Sequence, residues 1–432
     1  LTPSSYSFGG VLGSTNMNTR ASEYREGGSI SYASSNRSYV HRLMATYASG
    51  ELEGGWSFAF SASRRMANEG FVDGTSYNAY SMFGTIEKRI NDKHSIGFTS
   101  IYAFNKRGKS GANTQEVFDI KGTKYNPYWG YQNGKMRNSR MKRIEEPIFM
   151  LSHYWDISDN TTLNTNVAYQ FGEMGNSRLD YMGGRLLSNG SIIGRGSNPD
   201  PTYYRKLPSS TYKYGGNNIY DLLMNFKEDG QVQWDDLYAQ NMTGAGNSKY
   251  ILYEDRSDDK QFTANTILNS QINENITLNG KVKYSYLRSE NFAKVLDLLG
   301  GKYYLDVDGY GENFEQKQND LFHPNRKVGV DDKFKYNYIF YSNVIDGFLQ
   351  AQFKYNKVDF YLAGDVSRTT HQRRGLYRNG GFKNNSFCKS KMQEFTNISG
   401  KAGLTYKITG RHLLDFNGGY ITKAPTLRNT FA

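Results

Sequence analysis

PIFMLSHYWDISDNTTLNTNVAYQF, residues Pro147 to Phe171, decides how the chain is read. Its second arm alternates without a break. Leu163, Thr165, Val167, Tyr169 and Phe171 fall on one face, and Asn164, Asn166, Ala168 and Gln170 fall on the other. Successive strand side chains point to opposite faces, so this arm is a strand with one oily side and one wet side. The first arm, Ile148 to Trp155, is more apolar but equally strand-like, and Ser158, Asp159 and Asn160 supply a tight polar turn between the two. The wet face is the informative one. A soluble sandwich fills its solvent face with Lys and Glu, whereas this face carries Asn, Gln and Ala, and the apolar face ends in aromatics. That pattern suits a transmembrane barrel with lipid outside and a watery lumen inside.

The same unit recurs in both directions. Upstream, Trp56, Phe58, Phe60 and Ala62 alternate with Ser57, Ala59, Ser61 and Ser63; past the turn Asn91-Asp92-Lys93, Ile96, Phe98, Tyr102 and Phe104 share a face. Downstream, the turn Asn273-Glu274-Asn275 leads into a strand with Leu278, Val282, Tyr284 and Tyr286 on one side. Thr277, Asn279, Lys281 and Lys283 lie on the other. Further hairpins turn at Asn356-Lys357 and Thr409-Gly410-Arg411. The pattern predicts about thirteen strands. Tight turns alternate with long irregular segments at 106–146, 172–260, 291–346 and 371–392. Structureless loops beyond about 15 residues are unusual in a soluble β-protein. In an outer-membrane barrel, short periplasmic turns and long external loops are the rule. The fold class is therefore all-β, an antiparallel transmembrane barrel over 23–432, preceded by a Gly- and Ser-rich segment 1–22 that does not alternate. An odd strand count, with a start at Leu1 and a polar end at Ala432, predicts a piece of a larger barrel, because an open edge in lipid leaves backbone groups unsatisfied.

Composition narrows the alternatives. Only 37% of the 432 residues are hydrophobic and the mean hydropathy is -0.71; no stretch approaches the roughly 18 apolar residues of a helical span. Yet 15% are aromatic, with Tyr 35 and Phe 25, which excludes the aromatic-poor chemistry of disordered chains and fits barrels with aromatic girdles. The net charge of +12 is scattered and not gathered in a stripe, so nucleic acid is not an expected partner. A single Cys388 excludes an internal disulfide framework.

The segment YSFGGVLGSTNMNTRAS resembles the end of a plug domain running into the barrel of a TonB-dependent outer-membrane receptor. SNRSYVHRLMATYASG, GWSFAFSASRR and EGFVDGTSY resemble the first barrel strands of the Oar-like branch common in Bacteroidetes. GKSGANTQEVFDIKGTKYNPYWGYQNGKMRNSRMKRIEEPI and NPDPTYYRKLPS resemble its outer loops, and KAPTLRNTF a mid-barrel segment. The resemblance runs through nearly all of the chain. It implies a plugged barrel of about 22 strands that captures a scarce ligand outside and imports it with energy passed through TonB. In that reading 1–22 is the end of the plug and 23–432 the first part of the barrel wall. The implied partners are the TonB complex through an upstream region, outer-membrane lipid and lipopolysaccharide, and a small ligand such as a siderophore, glycan or peptide. Relatives that take up glycans or peptides add a surface lipoprotein over the loops. No cofactor and no catalytic residue are implied.

Several loop residues are candidates for ligand contact. Tyr125, Tyr128, Trp129 and Tyr131 crowd one loop, Tyr203, Tyr204 and Trp234 a second, and Tyr303 and Tyr304 a third. Such rings stack on a sugar, peptide or siderophore, or else pack the loops and the interfacial girdle. Arg137, Arg140, Lys142 and Arg143 form a basic run suited to lipopolysaccharide phosphates or an anionic ligand, or to a solvated rim. DVDGYGEN, with Asp306, Asp308, Gly311 and Glu312, has part of a calcium loop's spacing, but Tyr310 and Lys317 occupy two ligand positions, so a Gly-rich turn is the better reading. The six histidines form no zinc motif, and no phosphate-binding loop or nucleophile elbow is present. Adjacent carboxylates such as Asp258-Asp259 would point to opposite strand faces, which counts against a carbohydrate-active enzyme. A surface adhesin that displays the long loops is the main alternative to an importer.

Overall fold

The computed structural model of the protein describes residues 2–10, 13–215, 218–243 and 246–431. Leu1, Val11, Leu12 and Ala432 of the terminal segments lie outside the described residues.

One antiparallel sheet of 15 strands follows the order of the chain. It starts at Gly27–Ser34 and His41–Leu52, continues through Trp56–Ala67, Tyr77–Arg89 and His94–Gly108, and reaches a position shared by Met141–Glu145 and Ile148–Ser158. Pro147, which lacks an N–H, falls at the break between those two pieces. The neighbouring Gly172 approaches the Glu145 carbonyl so closely that a Cβ would stand 2.0 Å from that oxygen, so only glycine fits the jog. Thr161–Asp180, Ile251–Asn273, Ile276–Asp297, Lys333–Lys354, Val358–Gly375, Gln393–Thr409 and His412–Tyr420 follow, and the two-residue strand Cys388–Lys389, paired with Val358–Gly375 off the main path, is the fifteenth. The sheet path has 13 positions, in keeping with the sequence pattern. Among the described residues its two outermost strands, Gly27–Ser34 and His412–Tyr420, each pair with one neighbour.

The hairpins close at one end by side-chain capping. Asn91 Oδ1 accepts from the Lys93 and His94 amides at 2.9 Å each, and Asn273 Oδ1 does the same for Asn275 and Ile276. Thr409 Oγ1 caps Arg411 and His412. These are the turn residues visible in the sequence, acting through the mechanism that favours them.

Register fixes which residues share a face. Asn166 lies opposite Ser152 and Asn265, Lys281 lies opposite Phe348, and Asn279 lies opposite Gln350. On this side polar groups are enclosed: Gln350 is 0% exposed and Asn279 is 1% exposed, and the two amides hydrogen-bond at 3.0 Å. Asn166 donates to Asn265 at 2.9 Å, and Lys281 pairs with Asp346 at 3.0 Å. The opposite side is apolar and open, with Val282 at 64% and Leu349 at 57% exposed, beside Leu151, Val167, Leu362 and Ile398. The sheet is thus inside-out relative to a water-soluble protein, with polar side chains shielded within and aliphatic ones presented outward. That arrangement is expected where the exterior solvent is hydrocarbon. No helix among the described residues is long and apolar enough to cross a membrane.

Strands of up to 23 residues exceed the 9–11 or so that cross a bilayer, so they continue past the apolar band. This corrects the predicted loop bounds. Thr161–Asp180 and Ile251–Asn273 take residues from both ends of the segment 172–260, and Ile276–Asp297 and Lys333–Lys354 do the same to 291–346. The remaining loops fold into a cap with small helices and its own cores. Trp234, Tyr250, Leu237, Leu299 and Val232 form one core, and Ile251, Tyr253, Val295, Tyr304 and Phe334 form another.

Candidate functional site

The shielded face of the sheet carries the first element of a site, the N-terminal segment. Ser4 and the Gln350 amide exchange two hydrogen bonds, Thr2 O accepts from Lys401 Nζ at 2.9 Å, and Phe8 packs on Phe348 and Tyr361. Further along, Arg20 pairs with Glu87 at 3.0 Å and lies over the Tyr154 ring, while the Ser22 amide and hydroxyl bond the same carboxylate. One short segment therefore touches strands early in the sheet and strands late in it, all on the polar face. Its described parts, residues 2–10 and 13–22, together form a strap on the lumen side. Glu87 is only 3% exposed, yet it is fully partnered by these donors, which is the condition under which a carboxylate tolerates enclosure.

The cap covers the opposite, long-loop end. Helix Trp234–Met242 buries Trp234 completely, and its indole N–H donates to the Arg137 carbonyl at 3.0 Å. The Arg137 guanidinium stacks over that ring and pairs with Asp297 at 2.7 Å, where the Tyr238 hydroxyl also donates. Burial pushes the Asp297 carboxyl up, but the Arg137 hydrogen bond, the Leu299 amide and Tyr238 outweigh it and hold the group below its ordinary range. Asn241, 1% exposed, is a hub: its amide nitrogen reaches the carbonyls of Tyr250, Leu298 and Leu299, and its oxygen accepts from the Lys249 and Tyr250 amides.

The candidate aromatics divide by environment. Trp234 and Tyr304, at 0% and 2% exposure, are packed within the two cores of the cap. Tyr125, 3% exposed, packs with Phe226 in the same way. Tyr131 and Tyr204 are exposed. Tyr128, Trp129, Tyr203 and Tyr303 are half-buried, with Trp129 edge-on to Tyr131 and Tyr203 edge-on to Tyr204.

The basic run is also divided. Arg137 is committed to Asp297. Arg143 lies on the outward face, where Glu145 and Glu173 pair with it at 2.8 and 3.0 Å. Lys142 points the other way, as adjacent strand residues must. It lies opposite Arg107 on the lumen-facing side, and Arg140 follows two residues before it. Arg107 and Lys109, which the sequence pattern does not single out, complete that group.

The remaining motifs are structural. Asp306 is 2% exposed and bonds Asn319, Arg326 and the Lys335 amide, so the DVDG turn is a hydrogen-bonded anchor. Asp258 pairs with Arg256 on the outward face, and Asp259, its neighbour, lies on the other. No group of His, Cys, Asp and Glu suited to a metal ion occurs among the described residues. Cys388 is exposed and lies not in a loop, as the sequence suggests, but in the two-residue strand Cys388–Lys389, which pairs with the end of Val358–Gly375; its φ is 68.

No family model matches the sequence, and no curated protein matches it. Solved structures do share the fold. The ferric citrate transporter FecA in its unliganded form superposes with a TM-score of 0.54 at 7% identity, over 91% of this chain and 43% of that one. The ferric-catecholate import receptor Fiu from E. coli K12, in its open form, gives 0.53 at 9% identity over 89% and 53% of the two chains. The siderophore receptor PiuA from Acinetobacter baumannii gives 0.51 at 11% identity over 88% and 47%. At these identities the likeness is one of fold. The chain spans about half the length of those structures.

Proposed function

We propose that this chain forms wall, strap and cap of a TonB-dependent receptor of the Oar-like branch, resident in the outer membrane and not an enzyme. The receptor imports a scarce ligand, a siderophore, glycan or peptide, in a gated and energised step. Residues 1–22 are the end of its plug and 23–432 part of its barrel. The observation that carries the reading is the inverted sheet with a strap across its lumen side. Lipid explains the outward Val282 and Leu349, and a plugged lumen explains the enclosed Gln350, held by Ser4 and bonded to Asn279, and the enclosed Glu87, held by Arg20 and Ser22. The likeness in fold to transporters and receptors supports it. In this reading the outward Arg143 sits above the apolar band, where lipopolysaccharide phosphates are its environment, and Tyr131 and Tyr204 offer ring surface at the cap. A TonB complex engages the plug from the periplasm, and a surface lipoprotein is an additional partner over the cap.

The test is uptake by cells of the source organism, with and without the gene, of labelled ferric siderophores, oligosaccharides and peptides, each with and without a protonophore. Loss of one energy-dependent uptake on deletion supports the importer. Unchanged uptake of every class with loss of surface attachment would favour the adhesin.

A further inference from the structure

The lumen-facing side of the wall holds four cations in a compact arrangement. Arg107 and Lys142 are direct cross-strand partners. The register continues one step past the strand ends, where the Lys109 amide donates to the Arg140 carbonyl at 2.8 Å. Arg107 and Lys109 are two residues apart on one chain, as are Arg140 and Lys142 on the other, so all four share a face. The two pairs are separated by about 6.6 Å along the strands and the chains by about 5 Å across them. Like charges directly opposite one another destabilise a sheet. Compensation is slight: none of the four has an ion-pair partner among the described residues, Lys109 Nζ donates only to the Asn176 amide oxygen at 3.5 Å, Arg140 lies 5.2 Å from the Tyr128 ring centre, and the nearest carboxylate on this face, Glu146, is four residues from Lys142. The cavity of about 740 Å³ that Arg107 and Lys109 line with Arg37, Phe71 and Tyr77 has no carboxylate in its wall. The outward face of the same strands is different, since there Arg143 and Arg256 are paired with Glu145, Glu173 and Asp258. Burial and the charges of Arg140, Lys142, Arg178 and Arg107 push the Lys109 ammonium below its ordinary range.

The backbone beneath these cations is rigid. The Lys109 carbonyl accepts from two enclosed amides, Asn126 at 3.1 Å and Asn138 at 3.0 Å, and the Gly108 amide donates to Ser76 at 2.9 Å. A Cβ at Gly108 would meet Asn138 Nδ2 at 2.9 Å and the Gly74 carbonyl at 3.0 Å, so the strand end is held by a contact only glycine permits. Repulsion is thus held in place by costly positioning, which fits a binding surface rather than a solvated rim.

We infer that Arg107, Lys109, Arg140 and Lys142 form a binding wall for a ligand with two or more adjacent anionic groups, phosphate or carboxylate. Two cation pairs about 6.6 Å apart match two anionic centres of one molecule better than a single one; Arg107 and Lys109 also line a cavity whose volume lies within the range of small-molecule sites, with Arg140 and Lys142 beside them outside its lining. The inference rests on the importer reading for its location in a ligand-lined lumen.

The probes are inorganic tripolyphosphate and citrate, titrated calorimetrically into the natural full-length protein in lipopolysaccharide-free nanodiscs. The double variant K109Q/K142Q should weaken binding of at least one probe more than tenfold, and wild-type affinity should fall steeply with salt. Lys383→Gln, in an exposed loop, should bind as wild type. Relief of repulsion should raise the thermal midpoint of K109Q/K142Q without probe, which separates lost binding from lost folding. Equal affinity of the folded double variant, or no binding of either probe by wild type, overturns the inference. So does probe binding seen only in a parallel preparation that retains lipopolysaccharide and absent from the lipopolysaccharide-free nanodiscs, because the anion site is then a feature of the headgroup layer at the outer surface and not of the lumen. Probe binding that disappears in the variant while cells show no energised uptake would sustain this wall and refute the importer.

Discussion

Replacing Val167 by arginine places a charge on the outward face, and replacing Asn166 by arginine places it one residue away on the lumen side. Val167 lies directly opposite Leu151, between Leu163 beside Trp155 at the turn end and Phe171 beside Tyr169 at the cap end. Leu163 to Phe171 is eight steps, about 26 Å along the strand and about 20 Å along the membrane normal at a tilt of about 40°. The flanking aromatic rings extend this toward the usual apolar band of about 25 Å. Val167 is at the middle of that band. A cation there costs about 2–4 kcal/mol, or roughly 30- to 700-fold in the folding equilibrium. At Asn166 the loss is one amide pair with Asn265, about 1 kcal/mol, in a polar setting that can solvate the new charge. Reversible urea unfolding of the natural chain in lipid vesicles, followed by tryptophan fluorescence, measures both. Equal losses for the two variants, or a larger loss at Asn166, would refute the assignment of faces.

Other expectations follow from the cap and the strap. Trp234→Ala should cost the cap about 3–5 kcal/mol, seen as rapid proteolysis within 197–250, while strand insertion measured by heat-modifiable mobility stays intact. Asp297 is held below its ordinary value, so its pairing stabilises the cap above about pH 4 and is lost as the pH falls through its lower folded value. Asp297→Asn should abolish that acid-dependent component of cap opening in hydrogen exchange. Glu87→Ala should release the strap, raising amide exchange at residues 18–24 while leaving exchange in Ile276–Asp297 unchanged.

The membrane-level half of each strand is legible in the sequence because lipid and lumen impose opposite polarities on alternate residues. Leu278, Val282 and Tyr284 against Asn279, Lys281 and Lys283 is the pattern the register reproduces. The signal fails higher up. Arg256, Asp258 and Lys260 face outward and Asp255, Ser257 and Asp259 inward, so both faces of Ile251–Asn273 are polar there and periodicity carries no information. The four-cation wall is hidden for the same reason. Arg107 and Lys109 look like part of a loop, and only pairing with Lys142 and Arg140 gathers them. Nor could sequence separate Tyr131, exposed, from Trp234, enclosed, since burial in the cap depends on helices and hairpins brought together from distant loops.

The most direct test of a lipid-facing wall is oxygen and nickel-chelate accessibility of a spin label placed singly at residues 278–284 in the natural protein, in lipid, with Cys388 replaced by serine. The wall predicts oxygen maxima at Leu278, Val282 and Tyr284 and chelate maxima at Asn279, Lys281 and Lys283, in strict alternation. Chelate access at Val282 equal to that at Lys283 would contradict it.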